Sequence, residues 1–189
     1  MLKDLVYKCR SYRRFYENIK ISDTELRQLA DLARMTAATA NFQALKFKIV
    51  NNPEDNAKVF GTLAWAGALP EWDGPEEGQR PAAYIVVLCD TTIAKTLKVD
   101  VGIASQTIML GAVEMGYGGC MLGNVNRSEL AEKLGIDTER FTIELVLALG
   151  KPKEEVKVVP VPADGSVKYY RDQNQVHYVP KRSLEEILV

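Results

Sequence analysis

Between Asp100 and Met115 the chain reads Asp-Val-Gly-Ile-Ala-Ser-Gln-Thr-Ile-Met-Leu-Gly-Ala-Val-Glu-Met, charged only at Asp100 and Glu114. This stretch is predicted to be one long helix. It is apolar nearly all round, so no face of it suits water. A fold that contains it must cover it on every side, with the rest of the chain or with a second subunit. The run is too short to cross a bilayer as a helix.

Enough chain exists to provide cover. The 189 residues suit one domain with a sizeable core, and 47% of them are hydrophobic against 26% charged, the balance of a globular protein. The net charge of −1 argues against a nucleic-acid partner. Cys9, Cys89 and Cys120 are odd in number and lack metal-ligand spacing, so each is expected to pack as a small hydrophobe in a reducing compartment. Met1-Leu2-Lys3-Asp4 is followed by no uncharged apolar run, so no signal peptide is expected. The expectation is a soluble, cytoplasmic protein without a membrane partner.

Along the chain, Leu2 to Lys8 reads as a short helix. Ser22-Asp23-Thr24-Glu25 is a capping box, and Leu26, Leu29, Ala30 and Ala33 continue it as a helix to about Arg34. Met35 to Gln43 is a small, polar loop. Leu45 to Val50 alternates apolar residues with lysines, as a half-buried strand does. Pro53 opens a helix to about Ala64. Gly67 to Pro81 reads as an exposed loop or lid. Ala82 to Cys89 is a continuous apolar run, predicted as a central strand buried on both faces. A glycine-rich turn from Gly116 leads into a short strand, Ser128 to Leu134 is a helix closed by Gly135, and Phe141 to Leu149 is another buried strand. Lys153 to Gly165, rich in valine, proline and charge, reads as an extended arm with no core of its own, suited to reaching over a second subunit. Val176 to Val179 reads as an edge strand and Ser183 to Leu188 as a terminal helix.

Some chemistries are excluded by what is missing. His177 is the single histidine and sits in a predicted strand, where a structural role outweighs a catalytic one. No metal-ligand spacing and no nucleophile elbow occurs. After Gly116 and Gly118, Met121 stands where a dinucleotide fingerprint needs its third glycine. An enzyme without an acid–base pair or a metal can still work if a cofactor carries the chemistry. Arg10, Ser11 and Arg13, in Cys9-Arg10-Ser11-Tyr12-Arg13-Arg14-Phe15, offer two guanidiniums and a hydroxyl in one turn, which serves a phosphate monoester as well as it serves a solvated basic surface. A second cationic cluster, Lys181-Arg182, lies near the other end of the chain. The two together point to a phosphorylated cofactor. The glycines before Cys120 would let backbone approach a flat ring. Asn41 and Gln43 carry amides that suit either a polar ring edge or a capped turn. Trp65, Trp72 and Tyr117 are candidates to border a pocket, though packing is the commoner use of such residues.

These motifs, in order and over nearly the whole length, resemble the nitroreductase family. Cys9 to Phe15 resembles the family's opening phosphate motif, and Asn41-Phe42-Gln43-Ala44-Leu45 its Asn-x-Gln-Pro-Trp segment. Asp100 to Gly123 resembles the central helix and the turn beneath the flavin, and His177 to Leu184 the C-terminal basic stretch. The resemblance implies an α+β fold: a three-layer sandwich with a mixed, mostly antiparallel sheet flanked by helices. It implies one FMN-binding domain over residues 1–189, in an intertwined homodimer whose 153–189 arm packs on the partner subunit. Arg10, Ser11 and Arg13, with Lys181 or Arg182, would hold the FMN phosphate. Ala38, Thr39, Asn41 and Gln43 would meet the flavin from the neighbouring subunit. Met121, Leu122 and Gly123 would line the isoalloxazine with backbone N–H groups. The implied activity passes hydride from NAD(P)H through flavin N5 to a nitroaromatic or quinone-like acceptor in a ping-pong cycle, with no obligatory catalytic side chain. Other redox chemistry on the same fold, or flavin binding without catalysis, are the alternatives. Ala44-Leu45 in place of Pro-Trp loosens the loop and removes an aromatic, a departure that bears on the substrate more than on the cofactor.

Overall fold

The computed structural model describes residues 1–95 and 98–189. Five helices carry labels here: α1 (Leu2–Lys8), α2 (Asp23–Arg34), α3 (Pro53–Phe60), α4 (Lys98–Glu114) and α5 (Arg127–Leu134). The strands are β1 (Leu45–Val50), β2 (Ala83–Asp90), β3 (Gly118–Leu122), β4 (Phe141–Gly150), β5 (Val156–Pro160), β6 (Tyr170–Arg171) and β7 (His177–Lys181). The first four form an antiparallel sheet in the order β1-β2-β4-β3, and the last three form a smaller sheet in the order β5-β7-β6. In the smaller sheet β5 runs parallel to β7, so the fold is α+β with mixed strand pairing.

Strand β2 is buried at every residue because the large sheet is covered on both faces. Ile85, Val87, Leu147 and Leu149 pack against Leu26, Leu29 and Ala33 of α2 and Ala104, Ile108 and Ala112 of α4. Tyr84, Val86, Leu88, Val146 and Ala148 pack on the other face with Val59 and Trp65 and with Leu130 and Leu134 of α5. The two faces of one apolar run thus feed two separate cores, as the period-two geometry of a strand requires.

Several local signals hold as read. Ser22 Oγ accepts from the Glu25 backbone N–H while Glu25 accepts from the Ser22 backbone, closing the capping box of α2. Gly135, at φ 60°, ends α5 in the left-handed region that glycine enters without penalty.

Other expectations are corrected. Helix α3 stops at Phe60 rather than near Ala64. The Gly67–Pro81 loop does not stand clear of the protein: Trp72 and Leu69 pack on the core, Pro75 is buried, and the Ala68 N–H donates to Tyr169 Oη. Helix α4 is covered by the sheet and by α2, but Val99 (69% exposed) and Ile103 (39%) leave one stripe open. The Lys153–Gly165 segment is not without a partner in its own chain, because β5 pairs with β7 over Val156–Pro160. That pairing also makes β7 the middle strand rather than an edge. Ser183 to Leu188 forms only a turn, in which Ser183 and Glu186 cap one another.

Gly118 and Gly119, just before Cys120, are required by packing. A methyl on Gly119 would run into the Ala148 carbonyl oxygen and the Leu149 and Met109 side chains, and one on Gly118 into Tyr12 and Pro152. At Gly123 the nearest atom to such a methyl would be Leu145 Cδ1 at 3.8 Å, ordinary contact. Gly119→Ala is therefore expected to destabilise the protein by about 1–3 kcal/mol, the usual cost of overpacking, while Gly123→Ala stays within about 0.5 kcal/mol. Urea unfolding of the two variants side by side checks the contrast; equal stabilities would refute the packing role of Gly119.

Candidate functional site

Strand β3 is an edge strand, and the N-terminal segment docks on its outer side. Ser11 bridges Gly119 there, with the Tyr12 N–H donating to the Gly119 carbonyl at 2.9 Å. The segment carrying Arg10, Ser11 and Arg13 thereby meets β3 at Gly119, ahead of Met121, Leu122 and Gly123, and continues to Phe15, which bridges Pro152. Leu122 is buried in the core and Met121 is half-buried, so Leu122 has only backbone to present at the surface, whereas Gly123 is exposed.

Arg13 is 9% exposed. Its guanidinium lies over the Tyr169 ring, 4.7 Å from the centroid; Nη1 donates to the Ser11 carbonyl at 3.3 Å and lies 3.4 Å from His177 Nε2. Among the described residues no carboxylate pairs with this guanidinium, and Arg13 Nε has no hydrogen-bond partner. Arg10 Nη2 donates to the Val6 carbonyl at 2.7 Å, and Arg10 Nε is also without a partner. Burying a cation whose guanidinium has no paired carboxylate is costly, and Arg13 is the more buried of the two arginines.

The neighbouring cations, by contrast, share one carboxylate. The Glu154 side chain is fully buried and pairs with Arg14 Nε at 3.4 Å and Arg171 Nη2 at 3.2 Å. Arg14 also bonds Gln175, and Arg171 stacks on Trp72, 4.1 Å from its centroid. His177 closes the cluster at 1% exposure, its ring 5.2 Å from that of Tyr169. Burial holds its pKa down to about 4, with Arg13 and Arg171 adding to the effect and Glu154 opposing it.

Ala38, Thr39, Asn41 and Gln43 stand elsewhere. Ala38, Asn41 and Gln43, with Ala37 and Asp100, line a cavity of about 620 Å³ at the junction of α2, β1 and the start of α4, and Thr39 is tied to it through Asp100. Asp100, the acidic residue in the first turn of α4, is 3% exposed and accepts from the Thr39 N–H (3.0 and 3.1 Å) and Oγ1 (2.7 Å). Past that anchor Ala40, Asn41 and Gln43 take φ of 46°, 54° and 52°, a left-handed run that side chains adopt at a cost of about 1 kcal/mol or more each. Because this loop leads into β1, it belongs to the opposite edge of the large sheet from β3, three strand spacings or roughly 14 Å away.

Lys181 and Arg182 are exposed at the end of β7. Arg182 pairs with Glu186 at 3.3 Å, and no hydrogen bond or ion pair joins either residue to Arg10, Ser11 or Arg13 among the described residues. Lys181 lies four residues beyond His177, or about 13 Å along a strand. Of the aromatics considered for a pocket border, Trp65 and Trp72 pack on the core and Tyr117 Oη donates to Glu25.

A family model, that of the nitroreductase family, matches residues 6–151. The chain belongs to the nitroreductase family. Among curated proteins it is 25% identical over 179 residues to YdgI of Bacillus subtilis (strain 168), named there a putative NAD(P)H nitroreductase, with 77% of this chain and 86% of that one covered. A nitroreductase-family protein of Streptococcus pneumoniae TIGR4 superposes with a TM-score of 0.71 at 17% identity, over 100% of this chain and 99% of the other. A protein of Exiguobacterium sibiricum 255-15, solved in complex with FMN, gives 0.70 at 18% identity over 87% and 94%. The two structural likenesses concern the nitroreductase fold.

Sequence reading missed Asp100, Glu154 and Tyr169. A lone carboxylate opening an apolar helix was a visible signal for Asp100. Glu154 is indistinguishable by sequence from its exposed neighbour Glu155. His177, neutral when folded and ordinarily titrating near 6.5, gives a pH prediction. Since its folded pKa lies below the unfolded value, its contribution is present above pH 6.5 and is lost as pH falls toward about 4. The loss is expected to be about 1–2 kcal/mol once solvent screening of the surrounding charges is allowed for. Wild type and His177→Gln, unfolded at a series of pH values, should differ in slope over this window; parallel curves would refute it.

Proposed function

We propose that this chain is an FMN-dependent NAD(P)H oxidoreductase that reduces a nitroaromatic or quinone-like acceptor by a ping-pong mechanism. The observation that carries the reading is Arg13, a buried cation whose guanidinium pairs with no carboxylate among the described residues, in one segment with Arg10 and its own unpartnered Nε. The residues present fit a phosphate monoester, because both guanidiniums and the Ser11 hydroxyl lie in the segment docked on β3. The name of YdgI and the FMN complex of the Exiguobacterium relative support the same cofactors. FMN, when bound, supplies the redox chemistry, taking hydride from NAD(P)H and passing the electrons to the acceptor.

The chain's own residues bind and orient. Arg10, Ser11 and Arg13 hold the phosphate, and Lys181 or Arg182 adds a charge from the tail. Past Gly119 no strand pairs with the outer edge of β3 among the described residues, so the backbone of Met121 to Gly123 is free to face the ring. Ala38, Thr39, Asn41 and Gln43 present backbone and amides that Asp100 holds in place. Residues 1–189 act as a single domain. Because the two halves of the site lie at opposite edges of one sheet, a homodimer assembles each site from both chains, with the open stripe of α4 and part of the 153–189 segment in the interface.

The protein loaded with FMN is expected to oxidise NAD(P)H with a nitroaromatic or quinone faster than free FMN does. Arg10→Ala should weaken FMN binding tenfold or more, as the loss of one charged hydrogen bond of about 1.5–3 kcal/mol dictates, and riboflavin binding far less. A flavin bound without turnover would make this a flavin-binding protein and not an enzyme; equal losses for FMN and riboflavin would remove the phosphate clamp.

The shared site has its own test. Arg10→Ala and Asn41→Ala/Gln43→Ala proteins should each bind FMN weakly. Subunit exchange between them should regenerate one tight site in each mixed dimer, read by flavin fluorescence titration. No recovery after verified exchange would place the whole site in one chain.

A further inference from the structure

We infer that Glu154 is a positioning residue for the phosphate-binding segment, fixing which arginines are left free for the anion. The inference rests on the phosphate-clamp reading of Arg10, Ser11 and Arg13 given above. Glu154 lies beyond residue 151, where the match to the family model ends.

The geometry is specific. Glu154 Oε1 accepts from the backbone N–H of Arg13 and from that of Arg14, the latter at 3.3 Å. Its Oε2 accepts from Arg14 Nε and Arg171 Nη2. The Lys153 N–H, one residue earlier, donates to the Arg14 carbonyl at 2.9 Å, and Phe15 bridges Pro152. The chain just past β4 thus runs alongside residues 13–15, and the carboxylate seals the join. With its side chain fully buried, Glu154 has no water to replace these donors, and each would be costly to leave unmade.

Two consequences follow for the anion. Backbone bonds at residues 13 and 14 set the direction in which the Arg13 side chain leaves the main chain, under Tyr169 and against His177. Arg14 and Arg171 are both engaged by the one carboxylate, so of the three clustered guanidiniums Arg13 is the one left without a carboxylate partner among the described residues. Removing the carboxylate would leave two buried N–H groups without acceptors and three guanidiniums crowded together. The segment would shift, and the fit to a phosphate would be lost more than the fit to a flavin ring lying on β3.

Titration of the full-length apoprotein with FMN and with riboflavin, which lacks the phosphate, tests this. Glu154→Gln keeps the shape but loses the charge and one acceptor. It is expected to weaken FMN binding tenfold or more and riboflavin binding less than threefold, with Glu154→Asp, which keeps the carboxylate, falling between Gln and wild type. Arg10→Ala in the same series separates the two claims. If Arg10→Ala discriminates FMN from riboflavin and Glu154→Gln does not, the positioning role is overturned while the clamp stands. If Arg10→Ala fails to discriminate, the clamp fails and the positioning role falls with it. Should Glu154→Gln not fold, Glu154→Asp carries the test: a selective loss for FMN supports the role, and unchanged or equally reduced affinities overturn it.

Discussion

Strand β2 is the constraint on which the rest of the molecule hangs. Both of its edges are paired, to β1 and β4, and both of its faces are buried. A strand so placed leaves the helices no choice of side: α2 and α4 close one face, and α3, α5 and the tryptophan loop close the other. Because β2 and β4 occupy the middle of the sheet, β1 and β3 must be its edges. The candidate cofactor residues sit at those edges, where backbone is still available. A rigid centre with open margins is the usual way a fold holds a binding site in place.

The second organising feature is electrostatic. Three arginines, one glutamate and one neutral histidine meet where the N-terminal segment, the end of β4 and the small C-terminal sheet join. One buried carboxylate accepts from two guanidiniums and two backbone N–H groups, so the cluster stays net positive, and Arg13 is the arginine in it whose guanidinium has no carboxylate partner among the described residues. Buried ionic groups rarely repay their desolvation in stability, and their use is more often to specify an arrangement. Here the arrangement fixes the Arg13 guanidinium over Tyr169 and against His177. Histidine in the same cluster is neutral because the site is dry and already positive.

Much of this was legible in the chain itself, for physical reasons that differ from element to element. The helix at Asp23 announced itself by reciprocal capping, a local interaction that needs no tertiary partner. The Ala82–Cys89 run could only be a doubly buried strand, since no half-exposed strand tolerates that composition. The Arg10–Arg13 motif and the family resemblance drew attention to a segment that the fold docks on β3 at Gly119. Failures came where a local pattern is compatible with several partners. Lys153–Gly165 has the composition of an arm, yet its valines find β7 in the same chain, at a separation no local rule measures. Gly118 and Gly119 invited a ring-contact reading, but the space beside them belongs to Tyr12, Pro152 and the Ala148 carbonyl.

Sequence by itself determined the elements whose signals are short-range: the capped helices, the apolar strands, the basic opening motif and membership of the nitroreductase family. Only the tertiary structure decided which carboxylate meets which arginine, because Glu154 and Glu155 are chemically identical neighbours that alternate sides of the chain. It also decided that the Asn41 loop and the Arg10 segment lie at opposite edges of one sheet. That separation depends on strand order, and strand order is set by long-range pairing between β2 and β4 rather than by any residue's own preference.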